Sequence, residues 1–126
     1  MLPQPVEKLI LAALQAAPGL TDLVGDKIYA LKMPTGIILP ALTSRRISGT
    51  PFLHLRGYQN SKVQLALDVW AMEYGQAREI ALEVQKAMFA APVVNWPDGD
   101  EAPVAHDNYY QVTLEYTCIE KGGFEK

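Results

Sequence analysis

The side chains able to do chemistry in this sequence are few and scattered. His54 and His106 stand far apart, and with Cys118 they lack the ligand spacing that fixes a tetrahedral zinc. His106-Asp107 has the form of a base beside its orienting carboxylate, and Ser44 and Ser48 are candidate nucleophiles. No nucleophile turn accompanies either serine, and loop polarity explains the pair better. Asp98, Asp100 and Glu101 could hold a divalent cation. An EF-hand, however, needs ligands at several fixed positions closed by a distant glutamate, so a solvated acidic loop is the better reading. None of the glycines lies between a strand and a helix start, where a phosphate cradle requires them. These patterns predict no catalytic centre, no cofactor and no metal.

Arg45 and Arg46, with Arg56 and Lys62 nearby, are the one basic concentration. Strand alternation sends Arg45 and Arg46 to opposite faces, which disfavours a single dense phosphate clamp. The formal net charge of −3 also lacks the Lys/Arg excess of a dedicated nucleic-acid binder. Two readings stay open for this group: ordinary surface charge, or pairing with acidic residues of a neighbouring subunit or brushing DNA in a channel. Trp70 and Tyr74 suit either interface anchoring or packing under a helix.

The elements that must position these residues come from ordinary globular material. At 126 residues, one domain over 1–126 with one hydrophobic core is expected. The apolar content of 49% and charged content of 20% predict folding, not disorder. Cys118 lies in an apolar alternation suited to a small buried thiol, and one cysteine makes no internal disulfide, which fits a reducing compartment. The start at Met1-Leu2-Pro3 lacks a basic region and a long apolar core, and no apolar run approaches the ~20 residues of a membrane span. Cytoplasmic synthesis without membrane attachment is the expectation.

Apolar residues at three- and four-residue spacing predict an amphipathic helix over 6–17, stopped by Pro18-Gly19. A further helical turn over 21–25, capped by Thr21 or its neighbour, and a short strand over 28–31 follow. Pro34, Gly36 and Pro40 make 32–40 an irregular arm. Residues 41–55 have strand composition, in which Gly49-Thr50-Pro51 should give a bulge, a bend or two short edge pieces. Beyond a polar tip over 56–62, Val63, Leu65, Leu67 and Val69 mark the clearest strand, over 63–72. A second helix over 74–90 carries the stripe Ala77, Ile80, Ala81, Val84 and Met88. Residues 93–107 read as a long mobile loop, and 109–119 as a last strand with one core face and one wet face. The order predicts an α+β fold: an antiparallel three- to four-stranded sheet carrying two amphipathic helices on one face. Its bare edges would be templates for pairing with another chain.

Several segments together resemble the phage tail-completion, tail-terminator and head-to-tail joining proteins, including the minor tail protein U-like group. They are the N-terminal helix, Leu23-Val24-Gly25-Asp26-Lys27-Ile28-Tyr29, and Leu39-Pro40-Ala41-Leu42 leading to Arg46-Ile47-Ser48. The strand-to-helix passage Leu65-Ala66-Leu67-Asp68-Val69-Trp70-Ala71, then Tyr74 and the alanine stripe, adds the most telling part. Tyr109, Tyr110 and Tyr116 close the pattern. Lys27 stands where the family often has arginine, and Thr43 and Ser44 where it often has an aromatic. The resemblance implies a non-enzymatic subunit of a virion, forming a ring, commonly hexameric, that ends the tail tube or joins tail to head. It also implies tail tube or head-completion proteins as partners, with DNA at most passing through the lumen.

The residues expected at its interfaces are Lys32, Pro34, Arg45, Arg46, Arg56, Tyr58, Lys62, Trp70, Asp98, Asp100 and Glu101. The segments 32–40, 56–62 and 97–107 are expected to order only on assembly. The alternative is a small α+β ligand-binding or regulatory module, which would need a concave apolar pocket with convergent polar groups. An enzyme built from Ser44, His54 or His106 comes third.

Overall fold

Strand alternation builds the centre of the protein, which a computed structural model describes over residues 5–53, 59–100 and 103–121. Val63, Leu65, Leu67 and Val69 lie fully buried on one face of β3 (Gln59–Ala71). Two long antiparallel partners flank it, β2 (Ala41–Leu53) and β6 (Tyr110–Lys121). On the same face β6 buries Val112, Leu114, Tyr116 and Cys118, as its alternation predicts. The short β1 (Ile28–Ala30) extends the sheet beyond β2, while β4 (Asn95–Asp100) and β5 (Val104–Ala105) pair with β6. The strand order is β1-β2-β3-β6-β4, with β5 beside β6.

Helices α1 (Val6–Gln15), α2 (Pro18–Val24) and α3 (Tyr74–Ala90) share the apolar cluster of the inner face. The four-residue spacing of Val6, Ile10 and Leu14 puts them in one buried stripe of α1, and Ile80, Val84 and Met88 do the same for α3. Each such side chain, fully buried, contributes about 1.5–3 kcal/mol. The start of α1 has no side-chain cap of its own. Glu120 on β6 takes that role, accepting the Val6 N–H at 3.0 Å, and the free first-turn donor is thereby satisfied across the fold. At the other end of α3, the Asn95 amide donates to the Met88 and Val93 carbonyls at 3.1 and 2.7 Å.

The α+β class stands, and four details differ from the sequence reading. Pro18 opens α2 instead of only stopping α1, because proline's fixed φ and missing N–H suit a first helical position. Thr21 is no cap, its hydroxyl donating back to the Pro18 carbonyl. The sheet is mixed, since residues 31–40 return the chain far enough for β1 to lie parallel to β2. The bulge expected in this strand forms, but not at Gly49-Thr50-Pro51, all three of which pair with β3. The irregularity sits instead between Arg46 and Ser48, where Ile47 bulges out.

Pro51 is tolerated because β1 pairs with β2 only at Leu42, Thr43 and Ser44. Leu42 and Ser44 turn their backbone groups away from β3, towards Lys27 and Leu31. Carried through the bulge, that alternation turns the Pro51 nitrogen to the open side, where no N–H is required. The fourth difference is that residues 59–62 and much of 93–107 are strand. Lys62 pairs with Thr50 and Ile119, and β4 accommodates Pro97 through a second bulge before Gly99, whose φ is 125°.

Candidate assembly surface

The face of the sheet opposite the helices is polar and tightly connected. Asp68, only 2% exposed, accepts hydrogen bonds from Arg45 Nε at 3.0 Å, from Gln111 Nε2 at 3.2 Å and from the buried Thr113 hydroxyl. These donors lie on β2 and β6, which flank β3, so one carboxylate ties the three long strands together. Trp70, two residues along β3, donates its indole N–H to the Thr43 hydroxyl at 3.0 Å. Its ring meets His106 and Tyr109, with centroids at 6.2 and 5.9 Å, and these two stack on each other at 4.4 Å. Trp70 therefore lies on this outer face and not under α3. Tyr74 stays largely exposed, edge-on to Tyr110.

Arg45 and Arg46 do point to opposite faces. Arg46 lies on the helix side, where Nη1 meets Glu7 Oε1 at 3.0 Å and Glu120 Oε2 at 3.2 Å. Burial lowers its pKa, but the hydrogen bond and charge of Glu120, with Glu7, outweigh this and raise it above its ordinary value. Both arginines thus have acidic partners within the chain. Asp98 accepts the Thr117 hydroxyl, and Asp100 pairs with Arg78 at 3.1 Å. Lys32 and Pro34 are exposed on the arm, and Lys62 is exposed on β3. Arg56, Tyr58 and Glu101, like His54, lie outside the described residues.

Among the described residues the candidate nucleophiles and His106 do not come together. Ser44 is buried on the inner face, whereas His106 stacks over the outer face with its Nε2 against Gln111 Oε1 at 3.1 Å. Ser48 pairs with Gln64, six residues along β3 from Trp70, which separates it from His106 by about 20 Å at the rise of a strand. Among the described residues no three His, Cys, Asp or Glu side chains converge as a metal site.

Surface apolar groups are the feature the sequence reading missed. Phe89 is 95% exposed and Val94 66%, beside a groove of about 580 Å³ between the end of α3 and β4. Leu31 and Ile38 on the arm are 75% and 79% exposed. Helical spacing could have found Phe89, which falls outside the Ala77, Ile80, Ala81, Val84, Met88 stripe. For Leu31 and Ile38 the signal was weaker, because an irregular segment has no periodicity to break. The groove lining is mainly apolar, with Gln85, Asn95 and Tyr116 as its polar side chains, and the Asn95 amide donors are engaged by backbone carbonyls.

Residues 8–120 match the family described as tail completion protein gp17. The chain belongs to that tail completion family. It is a structural protein of the bacteriophage tail, carried in the virion. No curated protein matches the sequence. Among solved structures, a chain of one described as "Virion of native gene transfer agent (GTA) particle" has the same fold, with a TM-score of 0.75 and 16% identity. The match covers 90% of this tail completion protein and 92% of that chain.

Proposed function

We propose that this tail completion protein acts as one non-catalytic domain that closes into a ring with copies of itself, hexameric as the sequence resemblance implies. The ring sits at the end of the tail tube or at its joint with the head, meeting tube and head-completion proteins. The observation that carries this reading is the exposed apolar surface, Leu31 and Ile38 on the arm and Phe89 and Val94 beside the groove. Apolar side chains left this exposed, on the arm and beside a groove, suit contact with another protein. The likeness to a chain of an assembled virion particle supports the same reading.

The sheet edges refine how contact is made. On β2 beyond its short β1 partner the Ile47 bulge and Pro51, and on β4 the Pro97 bulge, make these open stretches poor templates for strand addition, while β1 keeps a short open edge. This favours contact through side chains. Removing the gene from a producing phage tests the placement. Over-long tubes would support an end-of-tube position, and full heads separated from finished tails would support the joint. Normal infectious particles would contradict both.

A further inference from the structure

Two uncovered apolar features lie at opposite edges of the sheet. The arm over 31–40 follows β1, the first strand in the order, and the groove runs beside β4, the last. On the arm, Leu31 combines strong exposure with a φ of 69°, a left-handed conformation that a leucine rarely adopts. The positive φ costs the subunit and the exposed side chain gains no packing within it, which contact with another surface would offset. Lys27 Nζ holds the far part of the arm by donating to the Ile38 carbonyl at 2.8 Å, leaving the Ile38 side chain outside. At the other edge Phe89 follows the buried Met88, and the turn of the helix aims its ring away from the core.

We propose that the groove receives the 31–40 arm of a second copy of this chain, with Leu31 and Ile38 against Phe89 and Val94. This rests on the ring reading above and states which surfaces meet in it. Charge favours the second copy as occupant. Lys32 is the one charged side chain between 31 and 40, whereas β4 carries Asp98 and Asp100 and no basic residue, Asp100 already pairing with Arg78. Lys32 would thus approach an acidic edge from an otherwise uncharged arm. The bulges of β2 and β4 agree, since an arm laid in a groove needs no open strand. Because donor and acceptor surfaces differ and sit at opposite edges, the contact is head-to-tail, the type that closes rings by rotation.

Ile38→Glu disables the arm and Phe89→Glu the groove, both at exposed positions, so each variant is expected to keep the wild-type circular dichroism and melting curve. Sedimentation across a concentration series is expected to show assembly of the wild type. Each single variant should move the half-assembly concentration up by about thirtyfold or more, as loss of a central apolar anchor does. An equal mixture of the two variants is the sharper test. One intact arm and one intact groove remain in each mixed pair, so the mixture should form a dimer that neither variant forms alone. Wild-type-like assembly by either variant, or a mixture that stays monomeric while the wild type assembles, would overturn this inference alone. A wild type that is monomeric at every concentration and ignores tail tubes would bring down the ring reading and this inference with it.

Discussion

Replacing Asp68 by valine removes the carboxylate that joins β2, β3 and β6 on the outer face. Arg45 and Gln111 are partly exposed and can turn to water, so each lost bond costs about 0.5–1.5 kcal/mol. Thr113 is buried, and its hydroxyl loses its acceptor at a cost of about 1–3 kcal/mol. Relief from burying a charge offsets part of this, leaving a net destabilisation of about 2–4 kcal/mol. That is a large share of the roughly 5–15 kcal/mol that holds a domain folded. Urea unfolding is the assay, read from the midpoint with an unchanged slope. Adding Thr113→Val should then recover about 1–2 kcal/mol, because the orphaned hydroxyl disappears with its partner. An Asp68→Val protein within about 0.5 kcal/mol of wild type would refute the argument. So would a Thr113→Val change that costs as much in the double variant as it does alone.

Three other perturbations follow from single positions. Cys118 is pushed up from 9.0 to about 11, first by burial and then by the carboxylates of Asp98 and Glu7. The folded state therefore holds this proton more tightly than the unfolded state. Stability should be unaffected below about pH 9 and then fall by about 1.4 kcal/mol per pH unit until the folded value is passed. A Cys118→Ala protein should lack the part of that fall between about pH 9 and 10, above which Tyr116, also raised by burial, contributes, and rapid labelling of the native thiol at pH 8 would contradict the assignment. Gly25 turns the chain out of α2 at φ 66° and ψ −133°, a region that side chains avoid. Gly25→Ala should cost about 1–3 kcal/mol in thermal unfolding, and a neutral change would count against the turn. Leu31→Asn should raise subunit stability by about 1 kcal/mol, since asparagine accepts positive φ, while weakening assembly. Two effects of the same sign would contradict its assignment to an interface.

Periodic segments were legible from the sequence, and edges were not. The stripes of α1 and α3 and the alternation of β3 and β6 follow from repeats long enough to set a face. The same alternation separated Arg45 from Arg46 correctly. Gly49-Thr50-Pro51 and Pro97-Asp98-Gly99 read as breaks because proline and glycine are poor strand formers in a sheet interior. At an edge, one strand partner suffices and a bulge absorbs the extra residue, so both segments pair. β4 and β5 were missed because their few residues take their order from β6 and carry no pattern of their own. The Asp68 network was out of reach for a different reason. Arg45, Asp68, Gln111 and Thr113 are far apart in the chain, and only the register of β2, β3 and β6 brings them together.

The claim at the centre is that this tail completion protein works by assembling with itself on a tail. The most direct test is its mass by light scattering across a concentration series, with negative-stain images of the same fractions alone and after mixing with tail tubes. Rings in solution, or rings capping the tubes, are the expected result. A protein that stays monomeric at every concentration and leaves the tubes bare would contradict the account.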